Sequence, residues 1–451
     1  VGTTRGGPAE AATTAPDGSR KRIGVVLAVV FIDLLGFGII IPILPFYVRS
    51  FGVSDIFIGL LAASYSLAQF LAAPVLGRLS DQRGRRPVIM LSVGVSGVAW
   101  ILFGIASEIG AVAGTTVGLL VLFGARLTAG AAGGNIAAAQ AYIADVTPPE
   151  RRTGALGLIG AAFGLGFVFG PALGGVLASD PAVNAGQAVF PDSVPITPFT
   201  LPSFGAATLS FVALAAATVF LKEPERKRGP ANRTTFVGQF QNALSDTNIR
   251  PLVIAFFLTS VAFAGVTVMF IPFMADFFGY DATEAAIFLA YIGVLGIINQ
   301  GILIGRLANQ FGVRPVVKIG ALCLALALLL LAAAPLAGTS GLISGGPSWL
   351  SGGFLVLLVF GLLLSFGNGA LSVGLASLVS ENTGAETQGS AFGVTQAAGS
   401  LGRTIGPPVA AGAYVVVYWS PFVGGALLLV PVWLLMGMKA VTQTNRSTSQ
   451  K

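Results

Sequence analysis

Long apolar stretches recur along the chain, and short polar, charged or glycine- and proline-bearing segments separate them. A helix crosses the roughly 30 Å hydrocarbon core of a bilayer with about 20 residues. On that measure twelve spans are predicted, at 23–47, 56–76, 87–105, 117–144, 154–177, 202–220, 251–275, 284–305, 316–334, 351–378, 389–413 and 421–438. Residues 1–22 are small and polar and read as a disordered cytoplasmic tail, 221–250 as a cytoplasmic central linker, and 439–451 as a second cytoplasmic tail. Between them lie an N-terminal six-helix bundle, 23–220, and a C-terminal one, 251–438. The first stretch reads as a span and not as a signal peptide, because it is too long, carries Asp33 and is followed by eleven more.

The two sets of six are copies of one another. Residues 77–87, GRLSDQRGRRP, return at 305–315 as GRLANQFGVRP, each copy between two apolar spans. The string Gly157, Gly166, Gly170, Pro171, Gly174 and Gly175 returns as Gly393, Gly402, Gly406 and Pro407, with Ala410 and Ala411 in the last two places. Ile41-Pro42 is echoed by Ile271-Pro272. A duplicated set of spans with charged hairpins predicts an all-α membrane protein of twelve transmembrane helices in two pseudo-symmetric bundles, an architecture of secondary transporters.

Composition narrows the function. With 54% hydrophobic and 10% charged residues, the chain is too apolar for a soluble protein. The net charge of +7 does not signal nucleic acid, because the Lys and Arg other than Arg49, Arg126 and Arg403 fall in the tails and alternate loops or, as Lys318 does, at the adjoining end of a span. That is the positive-inside pattern, and it predicts both termini in the cytoplasm of a plasma-membrane protein. The basic stretch 222–228 reads as a topology anchor. There is no histidine and one cysteine, Cys323, so imidazole chemistry, disulfides and cysteine-based metal sites are excluded. No Gly-Lys-Ser/Thr phosphate loop is present, and nothing suggests an enzyme. Neither cofactor nor metal is expected, and uphill transport would draw on an ion gradient.

Comparing the copies separates what the fold requires from what it does not. Asp33 in span 1 aligns with Phe263 in span 7, and Arg126 in span 4 with Leu363 in span 10. A central acid or arginine costs about 2.5–3.5 kcal/mol on insertion scales, so ionisable groups kept in one copy only are candidates for function. A carboxylate facing a central cavity can hold either a proton or a cationic solute, which is a means of exchange. A buried Asp33–Arg126 pair that merely fixes helix packing is the competing reading. Tyr65 and Gln69 share a face of span 2, Ser365, Asn368 and Ser372 form a stripe on span 10, and Gln396, Ser400 and Arg403 one on span 11. Any of these could line a solute path or serve as an interhelical hydrogen bond. Phe163, Phe167, Met269 and Phe270 are candidates for an apolar wall, and Asp55 and Asp276 stand near the external ends of spans 2 and 7.

These residues resemble a known family. Gly77, Asp81, Gly84, Arg85 and Arg86 are similar to the loop signature of the major facilitator superfamily. Asp33 and Gly36 followed by Pro42 and Pro45 resemble its first-helix signature, and Arg126 with Gly130, Gly133 and Gly134 its fourth-helix signature. The glycine-proline string from Gly157 to Gly175 resembles the antiporter motif of the twelve-helix drug:proton antiporters, which include tetracycline-efflux proteins. The resemblance implies two bundles rocking about a central cavity, with Asp33 in transport and Arg126 in proton coupling. It also implies a conformational gate in which Asp81 meets Gly389-Ser390 and Arg85 pairs with Asp145, both breaking on the inward swing. Tetracycline-efflux relatives often carry a histidine in helix 8, where this chain offers Tyr291, Asn299 and Gln300. The expected function is proton-coupled efflux of small amphiphilic molecules by a monomer, with the solute, the proton and the bilayer as partners. A carrier of a polar metabolite and a non-transporting receptor on the same fold are the alternatives.

Overall fold

The computed structural model describes residues 17–147, 149–224, 241, 244–337, 352–383 and 388–437. No strand occurs among them. The first half comprises α1 (Asp17–Ile40), α2 (Leu44–Ser50), α3 (Ile56–Arg83), α4 (Arg85–Gly104), α5 (Ala106–Ala113), α6 (Thr115–Ala132), α7 (Asn135–Val146), α8 (Pro149–Ala178), α9 (Asp180–Val189) and α10 (Thr200–Phe220). The second comprises α11 (Arg250–Phe278), α12 (Ala282–Ile298), α13 (Ile304–Phe311), α14 (Val313–Ala333), α15 (Gly352–Glu381), α16 (Gln388–Val416) and α17 (Ser420–Gly437). Ten stretches are long and apolar enough to cross a membrane, and the glycine-rich α8 and α16 bring the helical passages to twelve.

Several passages are broken where the sequence pattern ran continuously. The first stops at Ile40 and resumes at Leu44, because Pro42 cannot donate to the ladder and Pro45 suits a helix start. Arg49, expected in a loop, therefore sits in a helix. The fourth passage pauses at Gly133-Gly134 between α6 and α7. The eighth runs from α12 through a π turn, Asn299–Leu303, into α13. Residues 17–22, expected in the tail, form the first turns of α1, while 1–16, 225–240 and 438–451 lie outside the described residues.

The repeated hairpin has one geometry in both halves. Gly84 ends α3 at φ 107°, ψ 157°, and Gly312 ends α13 at φ 85°, ψ 157°. That left-handed φ is strained for any residue with a Cβ, which explains why glycine stands at both places.

The glycine strings also repeat one task. In the first half a Cβ on Gly170 would lie 2.6 Å from Gly38 Cα, so α8 and α1 touch backbone to backbone. In the second half a Cβ on Gly402 would lie 2.7 Å from Phe257 O, where α16 meets α11. The halves join through two crossed contacts, α8 on α12 and α16 on α3. Gly175 faces Ala286 in one, and Gly59 faces Ala411 in the other. Both lie towards the face opposite the one that carries the repeated hairpins.

Candidate functional site

Arg126 is the best-defined charge in the membrane interior. It is 4% exposed, and its guanidinium carbon lies 4.7 Å from the Tyr65 ring centroid, 5.7 Å from Phe37 and 5.9 Å from Trp100. Each cation–π contact contributes about 0.5–2 kcal/mol, enough together to offset the insertion cost of an arginine. The glycines after Arg126 make this cage possible. A Cβ on Gly130 would sit 2.8 Å from Tyr65 Cα, and one on Gly133 would sit 2.6 Å from the Tyr65 hydroxyl. Gln69, one turn along α3, donates from Nε2 to Gly133 O at 3.1 Å, so it ties α3 to the break between α6 and α7.

Asp33 lies in α1 of the first half and Arg403 in α16 of the second. Arg403 donates from Nη2 to Ser400 Oγ at 2.8 Å. It also lines a cavity of about 340 Å³ between α11, α15 and α16, on the hairpin side of the membrane midplane. Asn368, Ser372, Gln396, Thr259 and Thr395 share that cavity with Phe256, Phe263 and Phe392. Seven of its fourteen lining residues are polar or charged.

Some expected lining residues stand elsewhere. Asn299 is buried, and its amide donates to Ser365 Oγ at 3.1 Å, which pins the π turn to α15. Ser365 thus leaves the stripe it shares with Asn368 and Ser372. The Tyr291 hydroxyl donates to Leu358 O at 3.0 Å, and Gln300 is exposed. Met269 and Phe270 belong to the packed core, where Phe270 stacks on Phe360 at 5.2 Å. Phe167 is half exposed and meets Phe37 edge-on at 6.0 Å, while the Phe163 side chain lies outside the described residues. A larger groove, about 660 Å³, runs between α4, α6 and α10, but exposed apolar residues such as Leu91 and Val98 line it and Arg86 is its one charge.

The hairpin charges form a hub within the first half. Arg85, 7% exposed, pairs with Asp81 at 2.7 Å and Asp145 at 3.0 Å and donates to Ser80 Oγ at 2.6 Å. The Arg85–Asp145 pair that the resemblance implied is present, in a molecule whose bundles touch at the opposite face. Both partners belong to one bundle, so rocking need not separate them. The expected contact of Asp81 with Gly389-Ser390 lies outside the described side chains. Arg86 donates from Nη2 to Thr218 O at 2.7 Å. Glu223, read from sequence only as part of a basic anchor, accepts from the backbone N–H of Arg85 at 2.7 Å and of Arg86 at 2.8 Å. Its carboxylate therefore caps α4 where the helix dipole favours negative charge, and a Cβ on Gly84 would lie 2.8 Å from it.

At the other face, four side chains latch the halves together. Arg49 makes paired contacts to Asp55, at 2.6 and 2.9 Å, and to Asp276, at 2.8 and 2.9 Å. The Tyr414 hydroxyl donates to Asp276 at 2.8 Å. Hydrogen bonding to Asp55 leads the effects that hold the Arg49 proton more firmly than usual. Asp55 and Asp276 are thus latch residues and do not line the cavity.

The Major Facilitator Superfamily profile matches residues 26–354. The chain belongs to the major facilitator superfamily. Over 423 residues this facilitator is 31% identical to the tetracycline resistance protein, class C, of Escherichia coli, covering 91% of this chain and 96% of that one. It is 24% identical to multidrug resistance protein 2 of Bacillus subtilis (strain 168), covering 92% and 94%. Among solved structures, a bacterial homologue of the human lysosomal transporter Spinster, inward-facing and occupied, superposes with a TM-score of 0.73 at 16% identity over 94% of this chain and 97% of that one. This facilitator is a multi-pass membrane transporter of small molecules and not an enzyme. Within its antiporter-like string, Gly166 and Gly174 face α1 as Gly170 does, Gly175 faces the other bundle, and Gly157 lies where only the backbone is described. Gly77 has open space around it.

Proposed function

We propose that this facilitator is a proton-coupled efflux antiporter of small amphiphilic molecules, working by alternating access as a monomer in the plasma membrane with both termini in the cytoplasm. The observation that carries this reading is the cavity that Arg403 lines with Asn368, Ser372 and Gln396, on the hairpin side of a molecule whose halves meet at the opposite face. A solute held better in one arrangement of the halves than in the other couples its binding to the rocking that exposes each face in turn. Asp33 supplies the one group that can exchange a proton for the basic end of a solute, while Arg126 in its cage keeps a positive field nearby. No cofactor is needed, because the proton gradient supplies the energy. Relatives named for tetracycline and multidrug resistance favour efflux of drug-like molecules.

The polar half of the cavity lining favours a second reading, a carrier of a polar metabolite. Proton flux in proteoliposomes separates the two. With wild type, adding amphiphilic amines should evoke proton movement opposite to the amine, and Asp33→Asn should abolish it while leaving amine binding measurable. Coupling in Asp33→Asn equal to wild type would sink the exchange mechanism, and proton movement evoked only by sugars or organic acids would favour the metabolite carrier.

A further inference from the structure

The groove of about 660 Å³ between α4, α6 and α10 shares no residue with the cavity that Arg403 lines. It follows one face of α4 from Arg86 through Met90 and Gly94 to Val98, with Thr128 of α6 and Leu214 of α10 at its sides. These α4 positions are four apart, so they lie one above another on the helix. From Arg86 to Val98 the helix rises about 18 Å, close to the roughly 15 Å of half a hydrocarbon core. The groove is therefore one leaflet deep, apolar along its length and charged at the hairpin end, where headgroups begin.

The second half does not repeat it. In register with the hairpin glycines Gly84 and Gly312, Arg86 returns as Arg314, but Met90 becomes Lys318, Gly94 becomes Leu322 and Val98 becomes Leu326. Gly94 is the floor of the groove, and a Cβ there would meet only Leu214 Cδ2, at 3.3 Å. In its place on α14 stands the exposed side chain of Leu322, and Lys318 lies over the Trp433 ring at 4.2 Å. The arginine is thus common to both halves, and the slot below it is not.

The acids near Arg86 are engaged elsewhere. Glu223 accepts from the backbone N–H groups of Arg85 and Arg86, and Asp81 and Asp145 pair with the Arg85 side chain. The Arg86 guanidinium donates from Nη2 to Thr218 O, its Nε has no hydrogen-bond partner, and it joins no ion pair among the described residues. A guanidinium in that condition suits a phosphate. We propose that the groove binds an anionic phospholipid of the hairpin-side leaflet, with its phosphate at Arg86 and one acyl chain lying over Gly94 towards Val98. A zwitterionic lipid fits the same slot but brings its own cation to the mouth, so the headgroup decides between them. The site is separate from the solute cavity and independent of the cargo.

The test uses phosphatidylglycerol and phosphatidylcholine probes that carry the same diazirine-bearing acyl chain. Each is present at trace level in phosphatidylcholine nanodiscs holding the full chain, and after photolysis the labelled peptides of α4 and α14 are quantified by mass spectrometry. The phosphatidylglycerol probe should label α4 about fivefold more than the phosphatidylcholine probe, the scale of one basic residue near an anionic headgroup. No such preference should appear at α14. Arg86→Gln should remove the preference, and Arg86→Lys should restore part of it. Gly94→Leu, which installs the residue of the second copy, should reduce α4 labelling by both probes. Equal labelling of α4 by the two probes in wild type overturns the proposal. The same preference at α14 overturns it too, because the effect is then a general attraction of basic helix ends. So does a preference that survives in Arg86→Gln, α4 labelling undiminished in Gly94→Leu, or labelling of α4 by neither probe. The wild-type comparison of α4 with α14 needs no variant, so a misfolded substitution cannot mask the answer.

Discussion

A methyl group is the unit in which α3 and α6 can be probed. Gly130 and Gly124 lie on the same helix, yet a Cβ on Gly130 would strike Tyr65 Cα at 2.8 Å while one on Gly124 would meet nothing within 4 Å. Gly130→Ala should therefore lose about 1–3 kcal/mol through overpacking, read as a lower thermal unfolding midpoint in detergent. Gly124→Ala should hold or gain up to about 1 kcal/mol from helix propensity. Equal effects at the two sites would mean that the Tyr65 cage is not tightly built. The sequence marked Gly130, Gly133, Tyr65 and Arg126 separately, on motif and spacing. It could not join them, because which face of α3 meets α6 is a tertiary fact. The stripe of Ser365, Asn368 and Ser372 misled for a related reason. Its members are spread over only about 60° of helix face, yet that is wide enough for Ser365 to reach α12 while the others turn to the cavity.

At the scale of elements, the hairpin after α3 depends on a residue 138 positions away from the helix it caps. Glu223→Ala should remove two charge-assisted hydrogen bonds from the start of α4 at a cost of about 1–3 kcal/mol. The change should appear as faster amide exchange at Arg85 and Arg86, and unaltered protection there would exclude the cap. Twelve passages were legible because each must carry some 20 apolar residues through lipid, a demand strong enough to survive any tertiary context. Their interruptions were less so. Pro42 announces the break before α2, but the π turn at Asn299–Leu303 differs from an α-helix by one residue of register, which no hydropathy pattern resolves. Glu223 was illegible because a cap supplied from a distant segment leaves no local spacing, whereas Asp281 and Glu284 form a capping box at the start of α12 that spacing does reveal.

For the whole molecule, the latch at Arg49 sets which face is closed. Arg49→Gln should part the bundles at that face, because it removes both carboxylate contacts that reach across to Asp276 and back to Asp55. Spin labels on Ser54→Cys and Val417→Cys, in a Cys323→Ser background, would report this as a longer or broader distance distribution than with Arg49 in place. An unchanged distribution would leave closure to the helix contacts alone. Those contacts have a property of their own. Where α3 crosses α16, Gly59 lies against Pro407 O and the Ala411 methyl, and where α8 crosses α12, Gly175 lies against the Ala286 methyl, so neither glycine has room for a methyl of its own. A second methyl, from Gly59→Ala or Gly175→Ala, would act as a chock that is felt only when this face is shut. The penalty then falls on one conformer, and by mass action it reappears as a shifted resting population and as weaker binding of any solute that prefers the shut form. Two hydrogen atoms at the closed face, neither belonging to a residue that lines the cavity, are thereby enough to set the apparent affinity for a solute.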